Sequence, residues 1–168
     1  EIPTYALGDT GPAGGLVFYI EAGGTRGLEA ASSDQSTGIR WDNSSSPSQD
    51  TSAVSTGIAA GFMNTMLIVA KQSTDSTTYA AGICSRLFVT TAGVTYGGYY
   101  LPSTYELGLM YTNLHANAVG GFSDDDYWSS TQISGFAMLA DSQDFLQGNV
   151  NSASAKTNTY KVRACRAF

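Results

Sequence analysis

The most regular hydrophobic spacing in the chain falls between Tyr99 and Leu114, where Leu107, Met110 and Leu114 recur at i, i+3 and i+7 with Tyr111 beside them. That spacing predicts an amphipathic helix of about three turns. Its start is marked twice. Pro102 suits a helix mouth, where a missing N–H costs little, and Ser103 with Glu106 three residues on forms an S-x-x-E capping box. Gly108 weakens the helix by about 1 kcal/mol relative to alanine, which predicts close approach by a neighbouring element.

The remaining apolar runs are shorter. Residues 16–20 form a continuous apolar run, the mark of a strand buried on both faces, and residues 28–31 read as its hairpin partner. The preceding GDTGPAGG scans as two Gly-X-Y triplets, but the register ends at Gly15-Leu16, so a glycine-rich turn is expected rather than collagen. Residues 32–55 are small and polar around an island of Ile39, Arg40 and Trp41. They read either as a surface loop pinned by the tryptophan or as a loop that carries the binding surface.

Two further helices are expected. Residues 58–71 place Ile58, Phe62, Met66 and Val69 at helical spacing, and residues 78–88 do the same with Tyr79, Ile83 and Leu87, Cys84 lying on that inner face. Residues 89–98 read as a connection. Residues 127–133 and 136–140 read as paired strands, and the tail TNTYKVRACRAF as one strand. On that strand Cys165 would share a face with Lys161 and Arg163, and Arg166 would share the other with Tyr160, Val162 and Ala164.

Composition narrows the class. The 168 residues fit one domain with a sizeable core, and only 13% are charged, the profile of a secreted or cell-surface domain. A net charge of −6 argues against nucleic-acid binding but leaves room for a local basic patch. No apolar run reaches the roughly 18 residues of a membrane span. With neither an initiator Met nor a signal peptide, the chain reads as a mature or excised piece of something longer. Cys84 and Cys165 match no metal spacing; they are two buried thiols or a disulfide closing a loop of about 80 residues, worth roughly 4 kcal/mol in the chain-entropy model.

Little in the chain points to catalysis. Asp124, Asp125 and Asp126 read as a calcium loop or as a solvated acidic turn, the latter favoured because consecutive residues cannot all face one ion. His115, the single histidine, closes a helix and suits a capping or surface role. No nucleophile motif or phosphate-cradling loop occurs, no cofactor or metal is implied, and nothing selects a pair of carboxylates. Four of the eight cations, Lys156, Lys161, Arg163 and Arg166, cluster in the last thirteen positions. Clustered Lys and Arg attract sulfate, phosphate or carboxylate. Pairing with core acids such as Glu106 is the structural alternative for Arg163 and Arg166, whereas Lys156 and Lys161 are expected at the surface.

The ordered motifs GDTGPAGGLVFYI, LPSTYELGLMY, YWSST and YKVRACRAF resemble the C-terminal domain family of the Legionella collagen-like protein over nearly the whole chain. More distantly, LPS-x-x-E-L, W-S-S and V-R-x-x-R resemble the C-type-lectin fold of formylglycine-generating enzymes and retroelement variable proteins. The resemblance implies an α+β, C-type-lectin-like domain over residues 1–168, with twisted antiparallel sheets, two or three flanking helices and long loops, at the C-terminus of a longer collagen-like surface protein. It further implies a cystine between Cys84 and Cys165 and a pairing of Glu106 with Arg166. The calcium-lectin sugar motifs E-P-N and W-N-D are absent, as are the closely spaced catalytic cysteines of the formylglycine-generating enzyme. The implied function is an extracellular bacterial adhesin, homotrimeric, that binds sulfated glycosaminoglycans in attachment and biofilm formation and is not an enzyme. Lys156, Lys161 and Arg163 are the expected sulfate contacts, with Arg40, Lys71 and Arg86 as further candidates. A protein-binding or structural trimerisation cap is the alternative.

Overall fold

The structure is a computed structural model that describes residues 2–44, 48–72 and 75–168. Among the described residues ten strands are distributed over two sheets and a hairpin, with three α-helices and one 3₁₀ turn between them, a mixed α+β architecture. In the smaller sheet β2 (Gly27–Ala30) lies between β1 (Leu16–Ile20) and β10 (Cys165–Ala167), antiparallel to both. The larger sheet runs in the order β3 (Ser36–Arg40), β9 (Thr159–Val162), β6 (Asp126–Gln132), β7 (Leu139–Asp144) and β8 (Val150–Ala155). Within it only the contact of β6 with β9 is parallel. β4 (Val89–Thr91) and β5 (Val94–Tyr96) pair as a hairpin where a plain connection was expected.

The tail is not one strand. It serves both sheets, as β9 in the larger and β10 in the smaller, and the break falls at Arg163 and Ala164. There the ladder gives way to other partners: the Ala164 carbonyl accepts from the Ala31 N–H at 2.8 Å, and the Ala164 N–H donates to the Gln35 side chain. The loop of residues 32–55 is likewise partly structured. It contributes β3, and Trp41 at the end of that strand is fully buried with its indole N–H on the Ser129 carbonyl at 2.8 Å, so it anchors the loop. Residues 45–47 of this loop, and 73 and 74 of the polar break after the first helix, lie outside the described residues.

The glycine-rich opening has a packing reason. Glu29 on β2 is fully buried and its carboxylate accepts from the Ala13 and Gly15 N–H groups at 3.1 and 3.2 Å. A Cβ on Gly11 would stand 2.3 Å from Glu29 Oε2, and one on Gly15 would stand 2.1 Å from the Ala30 carbonyl oxygen. The loop must therefore lie bare against β2. Arg166 on β10 completes the arrangement, donating from Nη1 to Glu29 Oε1 at 2.7 Å.

α1 (Ala60–Gln72) forms where expected but is rotated by about a quarter-turn, so that Val69 stays half-buried against the core while Phe62 and Met66 turn outward. Gly61, Asn64, Thr65, Ile68 and Gln72 are buried, while Phe62, Met63 and Met66 are exposed. Hydrogen bonds explain the rotation. Asn64 Nδ2 donates to the Ser55 carbonyl at 2.6 Å, and Thr65 Oγ1 accepts from the Leu101 N–H at 3.0 Å. Gly61 allows the approach, since a Cβ there would meet Glu106 Oε2 at 2.4 Å.

α3 (Thr104–Asn113) forms where expected with its capping box, whereas α2 (Ala80–Ser85) is shorter than the expected 78–88, Tyr79 standing at its N-cap and Leu87 beyond its end. Leu107, Met110 and Leu114 are buried with Phe18, Tyr127 and Phe145 in one hydrophobic cluster, and Trp41, Ile68, Tyr79 and Trp128 centre the other. Cys84 belongs to the second of these and Cys165 to the first, and both are buried free thiols rather than the implied cystine. Cys165 faces the Tyr100 hydroxyl, and burial raises both thiol pKa values, so neither is a thiolate at neutral pH.

Glu106 is also corrected. Its partner is not Arg166 but a ring of neutral donors: the N–H groups of Ser103 and Ala59, both at 2.8 Å, that of Gly61 at 3.2 Å, and the Tyr100 hydroxyl at 3.0 Å. Burial still raises its pKa above the ordinary carboxylate value against the pull of these bonds. Glu106→Gln would turn an NH2 group toward backbone donors. The expected loss is about 2 kcal/mol or more of unfolding free energy, measured by urea denaturation.

Candidate ligand-binding surfaces

The expected sulfate contacts do not form a basic patch. Lys156, expected at the surface, is fully buried: its Nζ stands 4.1 Å from the centre of the Trp41 ring and donates to Gln132 Oε1 at 2.7 Å and the Gln49 carbonyl at 3.2 Å. Burial pulls its pKa down to about 8, with Asp42 and Asp50 opposing. Arg163 is also buried. Its Nε meets Asp34 Oδ1 at 2.7 Å, Nη1 donates to the Ala31 and Gly120 carbonyls at 3.1 and 2.9 Å, and the guanidinium lies over Phe122 at 4.1 Å. Both side chains bind the protein's own loops and have no surface to offer a ligand.

Lys161 lies half-buried beside Asp125 Oδ2 at 3.6 Å, and Arg40 is held by Asp42 Oδ1 at 2.7 Å. Lys71, in the last turn of α1, and Arg86, just after α2, are exposed, and among the described residues neither is in an ion pair. α1 and α2 pack against each other, so both cations belong to one helical layer. Arg86 Nη1 donates to Ser76 Oγ at 3.2 Å.

The acidic triplet diverges as its backbone geometry requires. Asp124 meets His115 Nε2 at 3.1 Å, Asp125 meets Lys161, and Asp126 accepts from Asn151 Nδ2 at 3.0 Å. Among the described residues no three His, Cys, Asp or Glu side chains are grouped to hold a metal. His115 is indeed at the end of the helical segment, yet its ring packs with Tyr111, Phe122 and Phe145 rather than lying free.

A feature absent from the expected site is a groove of about 510 Å³ between α3 and the β7–β8 end of the larger sheet. Tyr105, Gly108 and Tyr111 line its helix side, and Gln143 and Val150 its sheet side. Those last two are register partners, so they share a face. Gly108 was expected to mark close packing, but a Cβ there would meet nothing within 4 Å except Gln143 Oε1 at 3.8 Å. The glycine opens space here. Asp141, Gln143 and Phe145 alternate toward α3, a period-2 signal readable from DSQDF had β7 been placed three residues later.

Lys156 offers a pH test of this account. Its folded pKa lies below the ordinary 10.5, so both folded and unfolded chains hold the proton below pH 8 and the full cost of burial applies there. As pH rises from about 8 to 10.5 that cost disappears. The stability of the natural chain relative to Lys156→Met should therefore rise across that window, by up to about 3 kcal/mol, followed by denaturation at fixed temperature. Methionine keeps the contact with Trp41, and Gln132 Oε1 retains Thr51 as donor. No family model and no curated protein matches the chain.

Proposed function

We propose that the chain is an extracellular, C-type-lectin-like adhesin domain of a bacterial surface protein, a binding module rather than an enzyme, that takes sulfated glycosaminoglycans or similar anionic polysaccharides. The observation that carries the reading is that Lys71, in the last turn of α1, and Arg86, just after α2, are exposed and in no ion pair among the described residues, with Asp50 and Asp75 acting on them only at longer range, while Arg40, Lys156, Arg163 and Arg166 are tied to partners within the fold. Lys156 and Arg163 drop out of the binding set because they are buried, and Lys161 and Arg40 are neutralised by their aspartates. Two cations make a weak site. A homotrimer would present three such sites to one polyanion, and linked weak contacts give avidity.

The protein-binding or structural trimerisation cap remains the second reading, favoured by the exposed apolar row Phe62, Met63 and Met66 on α1. Two measurements separate them. Retention on immobilised heparin at low salt should be lost in the Lys71→Ala, Arg86→Ala double variant, kept in Lys161→Ala, and lost for every form as salt is raised several-fold. Retention by the double variant, or none by the natural chain, overturns the glycan reading. A monomeric mass by light scattering at high protein concentration counts against both trimeric forms.

A further inference from the structure

The groove beside α3 contains a polar group that the fold leaves unanswered. Gln143 is 3% exposed, and its Nε2 donates to the Gly148 carbonyl at 2.7 Å, which fixes the orientation of the amide. Its Oε1 is buried and accepts from no donor among the described residues. A buried acceptor without a donor is unfavourable, and of the five buried side-chain atoms left unpartnered among the described residues, Gln143 Oε1 is the one whose residue lines this groove. The void next to it is the one left by Gly108, and the cavity opens from there toward Tyr105, which is 55% exposed.

The lining defines the chemistry of an occupant. It contains no charged side chain; it combines the rings of Tyr105 and Tyr111 with the hydroxyls of Thr56, Thr104 and Thr112. A fitting ligand is neutral, supplies a hydrogen-bond donor to Gln143 Oε1, offers an apolar face to a tyrosine ring and is small enough to fit within the groove's roughly 510 Å³. A pyranose has all four properties. We propose that this groove binds a single neutral pyranose unit, with one sugar hydroxyl donating to Gln143 Oε1 and the ring lying along the tyrosine wall.

This site is independent of the Lys71 and Arg86 reading. It has no cation, so it cannot account for binding of a sulfated chain, and neither result implies the other.

The test is a chemical-shift titration of the full chain with the methyl glycosides of glucose, galactose, mannose and N-acetylglucosamine at millimolar concentrations. At least one should give saturable shifts at Gly108, Gly148 and the Gln143 side-chain amide, with an affinity unchanged between low and high salt. Gly108→Leu, which fills the void, and Gln143→Met, which removes the acceptor, should each weaken binding at least fivefold while heparin retention stays as in the natural chain. Far-UV circular dichroism and thermal unfolding identify a variant that fails to fold, and the other then decides. No saturable shift with any of the four sugars, shifts centred elsewhere, or full affinity in a folded variant overturns the proposal. So does concentration-dependent broadening of the groove signals without sugar, which would assign the groove to a second copy of this chain.

Discussion

Glu106 is the contact on which the rest of the structure depends. A carboxylate with no exposed surface has to be answered by donors, and here the donors come from three segments: residues 59–61 at the start of α1, the Tyr100 hydroxyl, and the Ser103 N–H at the mouth of α3. Satisfying one charge therefore fixes the relative position of two helices. The constraint extends further, because Tyr100 exchanges backbone hydrogen bonds with Cys165 on β10, at 2.8 and 3.0 Å. β10 carries Arg166, and Arg166 holds Glu29 against the glycine-rich opening. Two buried carboxylates, one answered by neutral donors and one by an arginine, thus connect the helices to the smaller sheet.

This economy of charge explains what the sequence could and could not reveal. α3 was legible in full because its signals are local: a proline, a capping box and three apolar residues at helical spacing. β1 was legible for the same reason, as a bounded apolar run. The face of α1 was not. Its inward side is built from Gly61, Asn64 and Thr65, residues that read as surface until their distant partners at Ser55, Leu101 and Glu106 are known. β8, whose residues Asn151, Ser152 and Ala153 are exposed, had no hydrophobic period to announce it.

The terminal cations failed for a related reason. Clustering along the chain is not clustering in space here, because the tail crosses from one sheet to the other and its side chains diverge. Lys156 goes to Trp41 and Gln132, Arg163 to Asp34 and the Gly120 turn, Arg166 to Glu29. With so few charges in the chain, the fold takes several of its cations inside as pins for loops that have little apolar surface of their own. What remains outside combines hydroxyl, amide and scattered apolar side chains with an excess of acids, a surface that gives a polyanion little long-range attraction outside a local site.

That distinction gives the two proposed surfaces different physics. Gly61 touches the mouth of α3, whose next residues line the groove, whereas Lys71 lies ten residues further along α1, about 15 Å at 1.5 Å per residue. At physiological ionic strength screening acts over about 8 Å, so charge at Lys71 has little influence on a neutral ligand beside Gly108. A polyanion held near Lys71 and Arg86 would be captured by field and released by salt. A sugar in the groove would be selected by fit to Gln143 and the tyrosine rings and would ignore salt. A glycan carrying both sulfated and neutral units could engage both surfaces at once, with the charged contacts setting how fast it arrives and the groove setting how long it stays.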